Sequence, residues 1–397
     1  SKVFISRVQK ELGLNIKVIE GEKEAYYGGV AALNLLHDNT FITMDIGGGS
    51  TEFSFIRDGK IEKSISLNIG TVRIKELFFN KDDIEGAKKN ILDNLKKIFE
   101  LGIEIPKKVV GIGGSIRAFS KIVMAKNDYP LDILHGYTYN VKDEVSLFNK
   151  IINARNNDDL KSVGVKKDRF DTIKEGTFIF KTILDELNIK EVVTSGVGVR
   201  EGVYLTDLLR NSNHKFPENF NVSVRSLLDR FQIDEKQSAY LGSNAGKIFD
   251  VLKPMHNLDD KFRTLLVIAS KLHSIGSTLN FYKSNDNAFD FILNGLNYDF
   301  LHTSRVVVAH TIKFSKKSLP SKSDILKYQE LLPSLEVMQW MSFMISLNIA
   351  INQDLSRPKV EYVLNNNTLE IDLSNKSFLI QSNIDKLESP EDLIIKI

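Results

Sequence analysis

Hydrophobic and polar positions follow two periods along this chain, and the change from one to the other divides it. Residues 2–13 repeat at helical spacing through Val3, Phe4, Val8 and Leu12, and Gly13 closes the run. Residues 15–19 alternate like a strand, and residues 22–36 return to helical spacing. Residues 41–45 form a short apolar strand leading into Gly47-Gly48-Gly49. Residues 51–56 and 60–67 then alternate as two further strands. A long amphipathic helix is predicted over 82–101. A strand over 108–112 runs into Gly113-Gly114-Ser115 and a helix to about Met124. Residues 171–187 read as a helix. Val192 and Val193 read as a strand, followed by Gly196, Gly198 and a helix over 200–209. This mixture predicts an α/β domain. A polar stretch, Asn211-Ser212-Asn213, precedes Pro217 and marks a boundary. Residues 222–352 are almost entirely helical in pattern. The tail changes again, with two alternating runs over 359–363 and 368–373 around Asn365-Asn366-Asn367, a β-hairpin pattern.

Composition narrows the chemistry. The 397 residues suffice for two or three domains, and 42% hydrophobic with 26% charged residues is ordinary for a globular protein. A formal net charge of +2 gives no argument for nucleic-acid or membrane binding, so any polyanion site is local. No cysteine is present, which excludes disulfides, thiolate metal sites and a cysteine nucleophile, and suits a cytoplasmic location. No apolar run reaches the length of a membrane span. The chain opens on Ser1 directly in a helical pattern, which leads us to expect a missing front segment.

Asp45-Ile46-Gly47-Gly48-Gly49-Ser50-Thr51-Glu52 carries the strongest chemical signal. Consecutive glycines between two strands let backbone N–H groups converge on one point. Ser50 and Thr51 add hydroxyls, and Asp45 and Glu52 flank the turn where they could hold a hydrated Mg²⁺ against phosphate oxygens. The stretch matches neither the Walker loop nor a dinucleotide-binding turn, which would feed a helix. The plain alternative is a tight surface turn. A second element, Gly111-Ile112-Gly113-Gly114-Ser115-Ile116-Arg117, lies at a strand-to-helix junction. Free N–H groups there could receive an anion, or Ser115 could simply cap the helix. In a third, Ser195 to Gly202, Arg200 could reach a phosphate or sit in an internal ion pair. A fourth, Glu20-Gly21-Glu22-Lys23-Glu24-Ala25, is by itself an ordinary acidic helix start.

Taken in this order, the four elements resemble the exopolyphosphatase/guanosine pentaphosphate phosphatase (Ppx/GppA) family, of the actin-like ATPase and sugar kinase superfamily. The matching stretches are residues 19–25, 45–52, 111–117 and 198–202, and the resemblance covers about residues 1–210. It implies a ribonuclease H-like, actin-type α/β lobe with the first lobe largely missing from the chain: a remnant over 1–30 and a second lobe over 31–212. An all-helical HD-like domain over 218–355 and a small β-rich segment over 356–397 would follow. By matching position, Glu24 falls on the family's catalytic carboxylate, Asp45 and Glu52 on the residues associated with Mg²⁺, and Gly47, Gly48, Gly49 and Ser50 on the phosphate loop. Thr51, Gly113, Gly114, Ser115 and Arg200 complete the expected phosphate contacts. The implied activity is Mg²⁺-assisted release of terminal phosphate from polyphosphate or guanosine pentaphosphate, by a homodimer.

Two departures stand out. The family's opening phosphate loop of Asp-x-Gly-Ser-x-Ser type has no counterpart here. The expected metal-binding His-Asp pair of the helical domain reads His273-Ser274, so that domain is expected to be non-catalytic. Lys313, Lys316, Lys317 and Lys322 surround Phe314 and either track a polyanion or form a solvated face. Two competing readings of the whole chain stay open: an ATP-dependent kinase of the same superfamily, and a non-hydrolytic sensor of alarmone or polyphosphate.

Overall fold

The computed structural model describes residues 2–218 and 220–397, and the chain divides at 218/219 into two compact units. In the first unit the order is α1 (Lys2–Leu12), α2 (Gly21–Leu35), β1 (Phe41–Ile46), β2 (Thr51–Arg57), β3 (Lys60–Leu67), α3 (Thr71–Leu77), α4 (Ile84–Phe99), β4 (Lys108–Ile112), α5 (Gly113–Lys126), β5 (Thr138–Asn140), α6 (Val145–Ile152), α7 (Asn157–Ser162), α8 (Ile173–Glu186), β6 (Glu191–Thr194) and α9 (Val199–Leu208). The strands form one sheet in the order β3-β2-β1-β4-β6-β5. β1, β2 and β3 pair antiparallel, β4 lies parallel to β1, and β6 lies parallel to β4.

Both faces of this sheet are covered, which is why β1 reads as a nearly unbroken apolar run. Ile42, Met44, Phe53, Phe55 and Val109 face the larger core, shared with α4, α5 and α8. Phe41, Ile56, Val110, Ile112 and Val193 face a smaller core beneath α2. Because side chains alternate along a strand, Asp45 and Glu52 share that second face with Phe41 and Ile56. α2 lies close on the sheet because small residues line its underside. A methyl group at Gly29 would come within 2.8 Å of the Ser54 Cβ, and one at Gly28 within 3.3 Å of Ile112. Ser54 fixes the contact by donating to the Ala25 carbonyl at 2.8 Å.

Residues 15–19, expected as a strand, form none. Among the described residues no strand lies alongside to take up their N–H and C=O groups. The sequence pattern does not predict α3, α6, α7 or β5. They are short, and their pattern becomes legible only against the core they help to cover.

The second unit contains α10 (Val222–Arg230), α11 (Glu235–His256), α12 (Asp260–Leu272), α13 (Ser284–Gly295), α14 (His302–Lys313), α15 (Lys322–Ile325) and α16 (Leu335–Ile351), then β7 (Val360–Asn365), β8 (Thr368–Leu373), α17 (Phe378–Ile384) and β9 (Ile394–Lys396). α16 is buried nearly all round, with Trp340, Met341 and Met344 inaccessible. The hairpin forms as the sequence predicts, with Asn366 in the left-handed region at φ 53°. β9, unanticipated, adds parallel to β8. Two histidines bond to the backbone nearby: half-buried His273 meets the Ser270 carbonyl at 3.0 Å, and buried His310 meets that of Val306 at 2.8 Å. Lys313 lies over the Phe289 ring at 4.5 Å, whereas Lys316, Lys317 and Lys322 are exposed. Among the described residues no helix is long and apolar enough to cross a membrane.

Candidate functional site

One rung of the sheet assembles the acidic residues. Asp45 pairs in register with Glu52, Glu52 with Ser66, and Asp45 on its other side with Ile112. All four project towards α2. The Ser66 hydroxyl donates to Glu52 Oε1 at 2.8 Å, and Ser50 adds a second side-chain hydrogen bond to the same carboxylate. Gly21 brings the start of α2 directly onto Ser66, where a Cβ would come within 2.5 Å of the serine side chain. Glu24, three residues on, is thereby held above the rung.

Charge crowding follows from this placement. Burial pushes Asp45 up to about 6; Arg117 opposes that rise and the Glu24 charge adds to it. Burial likewise raises Glu52, against the hydrogen bonds from Ser50 and Ser66, and the charges of Glu24 and Asp45 raise it further. Three carboxylates therefore act on one another electrostatically, an arrangement that a cation would relieve.

At the β1–β2 turn the Gly47 amide donates to the Ser50 carbonyl at 2.9 Å and closes the hairpin. The carbonyls of Gly47 and Gly48 accept from the first amides of α3, Thr71 at 3.0 Å and Val72 at 2.9 Å. Arg73 Nε donates to the Gly49 carbonyl at 3.0 Å. With the carbonyls turned back to α3, the tip presents Gly48 and Gly49, whose amides have no protein acceptor among the described residues. Gly70 makes this approach possible, since a Cβ there would come within 2.4 Å of the Gly48 backbone. Two expectations change. Gly47 is occupied in closing the turn rather than in offering its amide. Thr51 is fully buried and donates its hydroxyl to the Ile69 carbonyl at 2.5 Å, so it anchors the hairpin from behind and cannot meet a ligand.

The second glycine element meets the first here. Gly113, at φ 83°, lies against Asp45; a Cβ would be 2.2 Å from Asp45 Oδ1. Ile112 is the N-cap of α5 and supplies no side-chain hydrogen bond, so Ser115 is not the cap. Ser115 instead packs against Gly176 of α8. The Arg169 guanidinium stands directly over Gly114, 2.6 Å from where a Cβ would be. An uncapped helix start beneath a guanidinium is a ready anion site. A cavity of about 400 Å³ opens from this point, bordered by Gly114, Arg117, Lys121, Leu134, Lys166 and Arg169. Glu24, Asp45 and Glu52 are not among the residues that line it.

Arg117 joins the parts. It sits one turn into α5 and donates to the Ser195 carbonyl at 2.6 Å and the Val197 carbonyl at 2.9 Å. Burial lowers its pKa, while Asp45 and Glu201 raise it and Arg200 lowers it. Arg200 is exposed and belongs to no ion pair among the described residues. Gly202 presses α9 onto α2, where a Cβ would be 1.8 Å from the Tyr27 carbonyl oxygen. Sequence reasoning assigned no role to Arg117, Lys121, Lys166 or Arg169. The position of Arg117 one turn after Gly113 was a usable signal, but Arg169 lies 55 residues away from Gly114 and only folding joins them.

A family model described as the Ppx/GppA phosphatase family matches residues 1–211. Two curated relatives are each named guanosine-5'-triphosphate,3'-diphosphate pyrophosphatase. That of Vibrio campbellii is 28% identical over 301 residues, 72% of this chain and 57% of its own. That of Photobacterium profundum is 25% identical over 338 residues, 80% of this chain and 64% of its own. The chain thus spans less than two thirds of the length of either relative. Among solved structures, an Aquifex aeolicus Ppx/GppA family member aligns with a TM-score of 0.45 at 29% identity, over 53% of this chain and 70% of its own. An exopolyphosphatase from Cytophaga hutchinsonii aligns with a TM-score of 0.47 at 21% identity, over 54% of this chain and 72% of its own. With more than half of its length matched by the family model, and with both glycine elements and the acidic rung converging on one place, this chain belongs to the Ppx/GppA phosphatase family.

Proposed function

We propose that the chain carries the phosphate-gripping and water-activating half of a phosphohydrolase that releases terminal orthophosphate from inorganic polyphosphate or guanosine pentaphosphate. The observation that supports this most is the pairing of Asp45 and Glu52 on one sheet rung, within electrostatic reach of Glu24 on α2, with the uncapped start of α5 beneath Arg169. Amides of Gly48 and Gly49, and those of the first turn of α5 at Gly113 to Ser115, would hold phosphate oxygens. Arg169, and Arg200 from the start of α9, would balance the charge of the chain. The cavity beyond Gly114, bordered by Arg117, Lys121, Lys166 and Arg169 and by the acid Asp168, would take the next phosphates of polyphosphate or the nucleoside part of a nucleotide. Glu24 would take a proton from the attacking water as the new P–O bond forms and the terminal bridging P–O bond breaks.

Among the described residues no group of three or more His, Cys, Asp or Glu is gathered as a metal site. Mg²⁺ nevertheless suits this donor set, because it is commonly bound by one or two carboxylates with substrate oxygens and water completing its shell. Asp45 and Glu52 would hold it; burial, and to a smaller extent the neighbouring acids, raises both pKa values, and the ion would favour their charged forms. When bound, the ion would neutralise charge developing on the leaving oxygen. By the same family reasoning, we read the first unit as an actin-type lobe, the second as HD-like without its metal pair, and the working enzyme as a cytoplasmic homodimer.

Phosphate release from polyphosphate and from guanosine pentaphosphate, with and without Mg²⁺, tests the proposal directly. Release that Glu24→Gln abolishes while substrate binding persists supports it. Binding without release, in a protein that includes the whole length of its relatives, would replace it with the sensor reading.

A further inference from the structure

We propose that His135 is a positioning residue that latches the turn between β6 and α9, and that protonating its imidazole opens the latch. His135 lies in the loop before β5 and bridges two backbone groups. The Gly196 amide donates to its Nδ1 at 2.9 Å, and its Nε2 lies 2.8 Å from the Leu35 carbonyl at the end of α2. An amide N–H can only donate and a carbonyl can only accept. The ring in this position is therefore neutral, with the proton on Nε2 and the lone pair of Nδ1 committed to Gly196. Glycine is required at 196 because a Cβ there would come within 2.9 Å of the His135 Cβ.

What the latch holds gives it consequence. Arg117 grips the same turn from α5 through the carbonyls of Ser195 and Val197, and Glu201 caps it by accepting from the Gly198 amide at 2.8 Å. The turn leads into Arg200. Through Leu35, the imidazole also ties the turn to the helix that carries Glu24 at its other end. A proton on Nδ1 would face the Gly196 N–H with no acceptor between them, so the bond is lost and the turn moves away. Arg117, whose donors follow the turn's carbonyls, would shift with it. The charged and titratable groups on the neighbouring elements include Asp132 on the same loop, Arg117 and Lys121 on α5, Arg200 and Glu201 on α9, and His37 and Asp38 after α2. Asp38 and Glu191 of β6 are both bound by Lys108. The catalytic consequence rests on the function proposed above; the latch itself does not.

Hydrogen–deuterium exchange of the full chain, followed at the 194–200 segment at pH 7.5 and pH 5.0 and corrected for intrinsic exchange, separates the two. In the unsubstituted protein, protection is expected to fall on the order of fivefold to tenfold at pH 5.0, as for the loss of one hydrogen bond. His135→Asn offers Gly196 an acceptor that does not titrate, so its protection should be the same at both pH values. His135→Leu should leave the segment unprotected at both. Phosphate release measured in parallel should decline less steeply on the acid side in His135→Asn, keeping only the part set by Asp45, which titrates at about 6. Equal protection at both pH values in the unsubstituted protein, or an undiminished fall in His135→Asn, would overturn the latch. Absence of phosphate release with the exchange pattern intact would count against the proposed function alone.

Discussion

Asp45 shows at the scale of one residue how position creates chemistry. Its carboxyl ordinarily titrates near 3.8, and burial beside Glu24 carries it to about 6. Between those values the folded protein holds a proton that the unfolded chain has released, so this group's contribution to stability falls as pH rises through that window. Ionised Asp45 then costs the fold up to about 3 kcal/mol at neutral pH, less the solvent screening of its exposed part. Asp45→Asn is accordingly expected to raise the Tm at pH 7.5 in EDTA, with the gain shrinking towards pH 4, while phosphate release is lost. Thermal melts across pH would show this, and a stability gain independent of pH would disprove it. Glu24 is the complementary case. Glu24→Gln removes the proposed base with little change of shape, so kcat should drop by about 10² to 10⁴ with KM nearly unchanged. Steady-state assays would reveal a retained kcat and remove Glu24 from the role.

Among elements, the close approaches set by glycine matter most. α2 rests on the sheet and against α9 because Gly21, Gly28, Gly29 and Gly202 allow near backbone contact. Gly202→Ala would thrust a methyl group into the Tyr27 carbonyl and force α9 from α2. A loss of roughly 1–3 kcal/mol in urea denaturation is expected, with lower activity because Glu24 rides on α2. The glycine hairpin depends likewise on α3. Gly70→Ala should displace the tip at Gly48 and weaken phosphate binding, seen as a higher KM, more than it lowers stability. If KM is unchanged, the hairpin tip is not the phosphate seat.

The whole chain divides into two compact units. In the second, a buried chain of amides joins hairpin to helices: Tyr362 donates to Asn244, Asn244 to Asn348, and Asn348 to the Leu241 carbonyl. Asn348→Leu would strand the Asn244 amide and is expected to cost about 1–3 kcal/mol, measured as faster exchange in α11, α16 and β7. Reading the sequence captured the α/β first part, the helical second part and the closing hairpin, because these follow from local periodicity. The motif at residues 45–52 and the family it belongs to were equally legible, since glycines and flanking acids are adjacent in the chain. Sequence alone determined which residue types stand ready for phosphate chemistry. Tertiary structure decided which of them meet and which are buried or already bonded. It turned Thr51 inward, spent the Gly47 amide on the turn, and set Arg169 over Gly114. It also withheld strand partners from residues 15–19. Those outcomes depend on which backbone groups meet across long separations in the chain, and hydrogen bonds between distant segments leave no periodic trace in the order of residues.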